Sequence, residues 1–147
     1  VLAKRPDVVV IYIGVNDVWH KTTHGTGTDA DKFEWFYKAL IEKMTNAGIK
    51  VVLATPAGIG EKKNNANPQD ADLNHYADIV RKPAGEHQLP LVDLRQLWQQ
   101  YSDANNANND EKGILIADCV HLNQTGNALV ANAMLQVPGI APQPKNQ

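Results

Sequence analysis

Asp118 and His121, in the stretch DCVHLNQTGN, stand three residues apart. A carboxylate at that spacing can accept a hydrogen bond from an imidazole Nδ1, which fixes the tautomer and leaves Nε2 free as a base. The competing reading is an aspartate capping the following helix beside a surface histidine. Far upstream, GVNDVWH presents Asn16, Asp17, Trp19 and His20 directly after the apolar run VVVIYI. Asn16 offers a neutral side-chain donor at the end of a strand, a suitable group for stabilising an oxyanion during acyl transfer. Its competing reading is an asparagine that simply makes a turn. Asp17 is read as structural, pinning that turn through backbone hydrogen bonds.

These groups can act together only if the chain folds them to one place. Residues 7–14, DVVVIYIG, form a β-branched apolar run ended by glycine, the pattern of a strand buried on both faces in a parallel sheet. A helix is expected to follow, with Phe33, Phe36, Tyr37, Leu40, Ile41 and Met44 on its inner face. Thr28 or Asp29 caps its start, and Gly48 lies past its end. Residues 49–56 read as a second strand. Asn67 and Pro68 open the next helix, whose apolar face is Leu73, Tyr76, Ala77 and Val80, and Pro83 stops or kinks it. Residues 89–94, LPLVDL, read as a third strand, RQLWQQY as a short helix and SDANNANNDEKG as a polar surface loop. NQTGNALVANAMLQ reads as a last helix with Leu129, Val130, Ala133 and Met134 inward. Alternating strands and helices define an α/β fold with a parallel sheet and right-handed crossovers. In such sheets ligands bind at the carboxyl ends of the strands, where residues 14–20 and 55–60 both fall.

With 147 residues the chain has the length of one domain, expected over residues 1–137 with a tail at 138–147. A net charge of −2 gives no electrostatic case for nucleic acid or an anionic membrane, and the longest apolar run, VVVIYIGV, is too short to span a bilayer. The single cysteine, Cys119, excludes an intrachain disulfide. The chain opens on Val1 rather than Met, so any targeting signal of the parent gene is expected before it, and the compartment stays open. Asp17, His20 and His24, in or beside the flexible-looking loop HKTTHGTGT, match no strong metal spacing, and no metal is expected. Trp35 and Trp98 read as core or helix-surface residues, and EKKNN at residues 61–65 as a solvated loop beside the cleft.

G-x-N-D after a buried strand, followed by D-x-x-H-x-N-x-x-G opening the last helix, resembles the SGNH/GDSL hydrolase family. GVND is similar to its third sequence block and DCVHLNQTG to its fifth, while ATPAGIGEK and LPLVDLRQLW look like its remaining strands with their exits. The resemblance covers nearly all of the chain up to the tail. It implies a flavodoxin-like three-layer α/β/α fold and ester hydrolysis through a Ser-His-Asp triad, with no cofactor. On the matching positions, Asn16 becomes an oxyanion donor, His121 the general base and Asp118 its orienter. Small or carbohydrate-linked esters are the implied substrates, with Gly14, Trp19 and His20 at the acyl or alcohol pocket.

The family's Gly-Asp-Ser nucleophile block and its glycine block have no counterpart in these residues. Ser102, in QQYSDANN, is the only serine, and it is expected at the end of a short helix rather than on a strand-to-helix turn. Cys119 lies inside the Asp-His turn, where it cannot easily attack across to the neighbouring imidazole, and is expected to be a small semi-buried residue. The family's first strands also precede VVVIYI, so residues 8–13 are expected at an exposed apolar edge that invites pairing. The expected partner is an N-terminal segment or chain carrying the nucleophile, or a second copy paired through that edge. The alternative function is an inactive remnant that binds a ligand or self-associates.

Overall fold

Three runs rich in Val, Ile and Leu build the sheet: β1 (Val8–Tyr12), β2 (Lys50–Ala54) and β3 (Leu91–Val92). The computed structural model describes residues 1–138, so the expected tail after Pro138 lies outside the described residues. The strand order is β1-β2-β3, all parallel, with Val8 opposite Lys50, Tyr12 opposite Ala54 and Leu53 opposite Leu91. β2 is central and buried from Val51 to Ala54, whereas in β1 only Ile11 is buried. Both strands meet a core on each face, β2 completely and β1 in part, with Ile11 and Val9 in one core and Val8, Val10 and Tyr12 against the other, as expected of an apolar strand at the edge of the sheet. Among the described residues β1 pairs on one side alone, and its open edge leaves Val8, Val9, Val10 and Tyr12 half-buried. β3 keeps two of the six expected residues, because Pro90 has no N–H and Asp93 already turns to accept a bond from Gln96 N at 3.1 Å.

Because strand side chains alternate, the sheet carries a core on each face. Ile11, Val51 and Leu53 pack against Phe33, Tyr37, Ile41 and Met44 of α2 (Ala30–Asn46) and Leu73, Tyr76 and Val80 of α3 (Asp70–Glu86). On the opposite face Val52, Ala54 and Val92 pack against Leu94 and Trp98 of α4 (Leu94–Asn105), Leu115, Ile116, and Val130 of α5 (Gln124–Leu135). The result is a three-layer α/β/α arrangement, as expected of the flavodoxin-like fold. Among the described residues no helix is long and apolar enough to cross a membrane.

Several boundaries differ from the sequence expectations. Phe36 is 54% exposed and packs edge-on against Trp35, because the buried stripe runs through positions 33, 37, 41 and 44 and leaves it on the flank. Asp29 occupies the N-cap of α2 without a side-chain cap bond. Asn67 and Pro68 stay outside α3, because the Asp70 carboxylate accepts from both Asn67 N (2.8 Å) and Nδ2 (2.9 Å) and holds that segment in its own turn. Pro83 does not end α3: it sits buried in the last turn, where its missing N–H removes a single helical bond, and the helix continues to Glu86. α4 outruns the expected short helix and takes in Ser102, so part of the expected Asn-rich loop is helical.

The three layers are tied together by a buried ion pair. Arg95 and Asp70 are 1% and 2% exposed and meet at 2.6 Å. Arg95 also donates to Asn74 Oδ1 at 2.7 Å and to the Ala57 carbonyl at 3.1 Å, so one guanidinium joins α4, α3 and the loop leaving β2. Removing one partner strands the other charge in the core. Arg95→Met is therefore expected to lower unfolding free energy by about 3–5 kcal/mol, measured by urea denaturation, whereas a loss under about 1 kcal/mol would contradict the assignment.

Candidate active site

Gly14 makes the exit from β1 possible. Its φ of 118° is a conformation side chains disfavour, and a Cβ there would stand 3.2 Å from the Phe33 ring. The backbone turns at Gly14 straight into α1 (Val15–Thr23), a helix the sequence reading missed by treating part of it as loop. Asn16 is exposed in its first turn. Asp17 Oδ1 accepts from Thr28 N at 3.2 Å, which ties the far end of the following loop back to α1. Its role is structural, as expected, but the bond holds the far end of the following loop rather than the turn after β1.

The second half of the site is a short hairpin. Ile116 and Leu122 form an antiparallel bridge, and Ala117 N donates to the His121 carbonyl at 2.9 Å. At the tip, Asp118 Oδ1 accepts from Val120 N (2.8 Å) and His121 N (2.9 Å), and Oδ2 lies 2.7 Å from His121 Nδ1. The Val120 N–H, then the His121 N–H, then the His121 ring hold the Asp118 carboxyl well below the usual carboxylate range. The helix-cap alternative for Asp118 is excluded, since Asn123 caps α5 by accepting from Gly126 N at 3.0 Å. With Nδ1 engaged by a carboxylate, the His121 imidazole has Nε2 as its remaining proton-accepting atom.

The two halves face one open cavity of about 590 Å³ whose lining includes Gly14, Asn16, Ala57, Gly58, His121 and Asn127. The structure thus brings together Gly14, Asn16 and His121. Trp19 packs edge-on to the His121 ring, with centroids 5.9 Å apart, and borders a neighbouring cleft shared with Asp118 and Lys62. His20 packs at an angle against Trp19 and edge-on against His24, and lines neither cavity. Among the described residues no three His, Cys, Asp or Glu side chains gather to hold a metal.

Neither chain-borne nucleophile candidate meets His121. Ser102 is buried in α4, lines a separate cavity of about 100 Å³ with Arg95 and Trp98, and its hydroxyl has no hydrogen-bond partner among the described residues. Cys119 is exposed rather than semi-buried, because its carbonyl, not its side chain, makes the anchoring contact, accepting from Gly60 N at 2.9 Å.

Glu61 overturns the expected solvated loop. It is fully buried, and its carboxylate accepts from Ile114 N (2.9 Å), Leu115 N and Ile116 N (2.5 Å), in the segment that leads into the Asp118 turn. In sequence the only pointer was GILI at 113–116, an apolar run whose N–H groups need acceptors though no strand of the sheet neighbours it.

Residues 1–129 match the GDSL-like Lipase/Acylhydrolase family. An acetylxylan esterase of Geobacillus stearothermophilus is 26% identical over 95% of this chain, which spans 62% of that protein's length. The crystal structure of the acetyl xylan esterase AlAXEase is 56% identical over 91% of this chain and 68% of its own, with a TM-score of 0.89. Two catalytic mutants of the acetylxylan esterase Axe2 from G. stearothermophilus, one with a serine replaced and one with an aspartate replaced, share the fold. Each has a TM-score of 0.78 at 24% identity, over 92% of this chain and 60% of theirs.

The order of donors on Asp118 has a measurable consequence. In His121→Ala the two backbone N–H bonds remain, so the Asp118 carboxyl carbon, followed by NMR, should still titrate below the ordinary value of about 3.9. Because the folded value is depressed, the turn's contribution to stability is complete above the ordinary range and fades only as the pH falls toward the folded value. A return of Asp118 to the ordinary value in that variant would show that the ring, not the backbone, holds it ionised.

Proposed function

The chain belongs to the GDSL-like Lipase/Acylhydrolase family, and from that premise we propose that it is the base-and-oxyanion part of a serine esterase acting on acetylated carbohydrate. The observation that carries the reading is the Asp118–His121 pair at 2.7 Å, with His121 and Asn16 on the wall of one cavity. AlAXEase and the curated G. stearothermophilus relative, both acetylxylan esterases, support the substrate class.

In this reading His121 Nε2 takes the proton of a serine hydroxyl as its oxygen attacks the ester carbonyl. Asp118 holds the imidazole in the matching tautomer and stabilises the imidazolium that forms. The Asn16 side-chain amide donates to the oxygen that becomes negative in the tetrahedral intermediate. As the intermediate collapses, His121 returns the proton to the leaving sugar alcohol; water, deprotonated by the same imidazole, then releases acetate and regenerates the serine. The serine comes from a segment outside these 147 residues, on the same gene product or a partner chain. The unpaired edge of β1 is the site where such a segment can add a strand and deliver its carboxyl end to the cavity mouth. A second reading rests on that same edge: two copies pairing through β1 would give an inactive dimer.

The test is acetate release from acetylated xylo-oligosaccharides by the chain alone and after supplying the part of AlAXEase, about a third, that the chain does not match. Activity is expected only with the added segment. His121→Ala should then lower kcat by about 10⁶-fold, and Asn16→Ala by about 10²–10³-fold. Hydrolysis that survives His121→Ala would remove His121 as the base. A dimer by sedimentation that the segment neither dissociates nor activates would favour the second reading.

A further inference from the structure

Asp118 and His121 are held in place by very little packing. Their side chains are 53% and 70% exposed, so the pair takes its position from the backbone of the hairpin beneath it. Among the described residues no strand of the sheet pairs with that hairpin. Its inner arm instead directs three successive N–H groups, from Ile114, Leu115 and Ile116, at the carboxylate of Glu61. The outer arm is tied to the inner one by Asn123 N to the Leu115 carbonyl and Ala117 N to the His121 carbonyl, both 2.9 Å. Moving residues 114–116 therefore moves Asp118 and His121 with them.

Glu61 is itself fixed from behind. Its carbonyl accepts from Asn106 Nδ2 at 2.7 Å, its N–H donates to the Glu111 carbonyl at 3.1 Å, and Trp98 Nε1 donates to the preceding Gly60 carbonyl at 3.1 Å. Gly60 N in turn holds the tip of the hairpin through the Cys119 carbonyl. A carboxylate shut away from water with no Lys, Arg or His paired to it among the described residues is costly. Three N–H donors offset that cost, and they do so only while the hairpin keeps its place. A neutral hydrogen-bonding side chain could tie down a loop. A buried carboxylate makes displacement of the loop far more expensive, and so sets its position sharply.

We infer that Glu61 is a positioning residue for the Asp118–His121 pair, locking the base to α4 through the loop that leaves β2. The consequence for turnover rests on the esterase reading above, whereas the positioning itself does not. In Glu61→Gln an NH₂ group must face one of the three N–H donors, so one contact becomes a donor-donor repulsion at nearly constant volume.

The first readout is the His121 ring-proton chemical shift in the 147-residue chain, which senses the Trp19 indole packed edge-on against it. Trp19→Leu supplies the reference for lost contact. In folded Glu61→Gln the shift should move toward that reference, and Asn106→Ala, which loosens Glu61 from behind, should move it the same way by less. The second readout uses the active, segment-complemented enzyme: kcat should fall about a hundredfold in Glu61→Gln with KM held within about twofold. An unmoved His121 shift in whichever of the two variants folds overturns the inference, as does a rise in KM with kcat unchanged. If no complemented enzyme is active, the esterase reading fails while the chemical-shift result still decides the role of Glu61.

Discussion

A single buried carboxylate organises the reactive end of this molecule. Glu61 lies out of water, and the three backbone N–H groups it accepts belong to a segment that the parallel sheet does not reach. Without an acceptor, those donors would be orphaned in the interior, at a cost of roughly 1–3 kcal/mol each. The interaction thus satisfies two liabilities at once, a buried charge and a row of backbone N–H donors. It also makes the Asp118 turn a rigid extension of the α4 side of the fold.

The cavity follows from two chain exits that the sheet places side by side. β1 ends at Tyr12 and turns through Gly14 into α1, while β2 ends at Ala54 and leads through Ala57 and Gly58. Gly58 is small for a physical reason: a Cβ there would lie 2.1 Å from the Trp98 indole. Arg95 holds the Ala57 carbonyl from below, so the cavity floor rests on the same buried ion pair that joins α3 to α4. In the proposed esterase this rigidity keeps the oxyanion donor and the base in register, which is the main contribution of a preorganised site.

What could be read from the sequence was whatever is local. The β-branched runs at 8–12 and 50–54 and the stripe Phe33, Tyr37, Ile41, Met44 have the periods of strand and helix, and they fold accordingly. Asp118 and His121 were legible as a pair because they stand three apart in sequence, whereas Asp17 was legible as structural but not in its partner, Thr28 N at the far end of the loop that follows. Glu61 was not legible, since its partners lie 53 to 55 residues away. Nothing in EKKNN distinguishes a clamped carboxylate from a solvated one. Arg95 and Asp70 share that difficulty at a separation of 25 residues. α1 escaped notice because VNDVWHKTT has a short apolar face and ends on β-branched threonines, so its helicity depends on the Gly14 turn and on packing of Val18. The stop offered at Pro83 does not occur, because a proline in a final turn forfeits only one helical bond and adds an apolar ring to the core.

The central claim is that these residues supply the base, its orienting carboxylate and an oxyanion donor to a serine that lies outside them. Intact-mass spectrometry after treatment with a serine-reactive fluorophosphonate, on the chain alone and with the complementing AlAXEase segment, tests it most directly. No adduct is expected on the 147-residue chain and one on the complementing segment, lost when His121 is replaced by alanine. An adduct on Ser102 would contradict it.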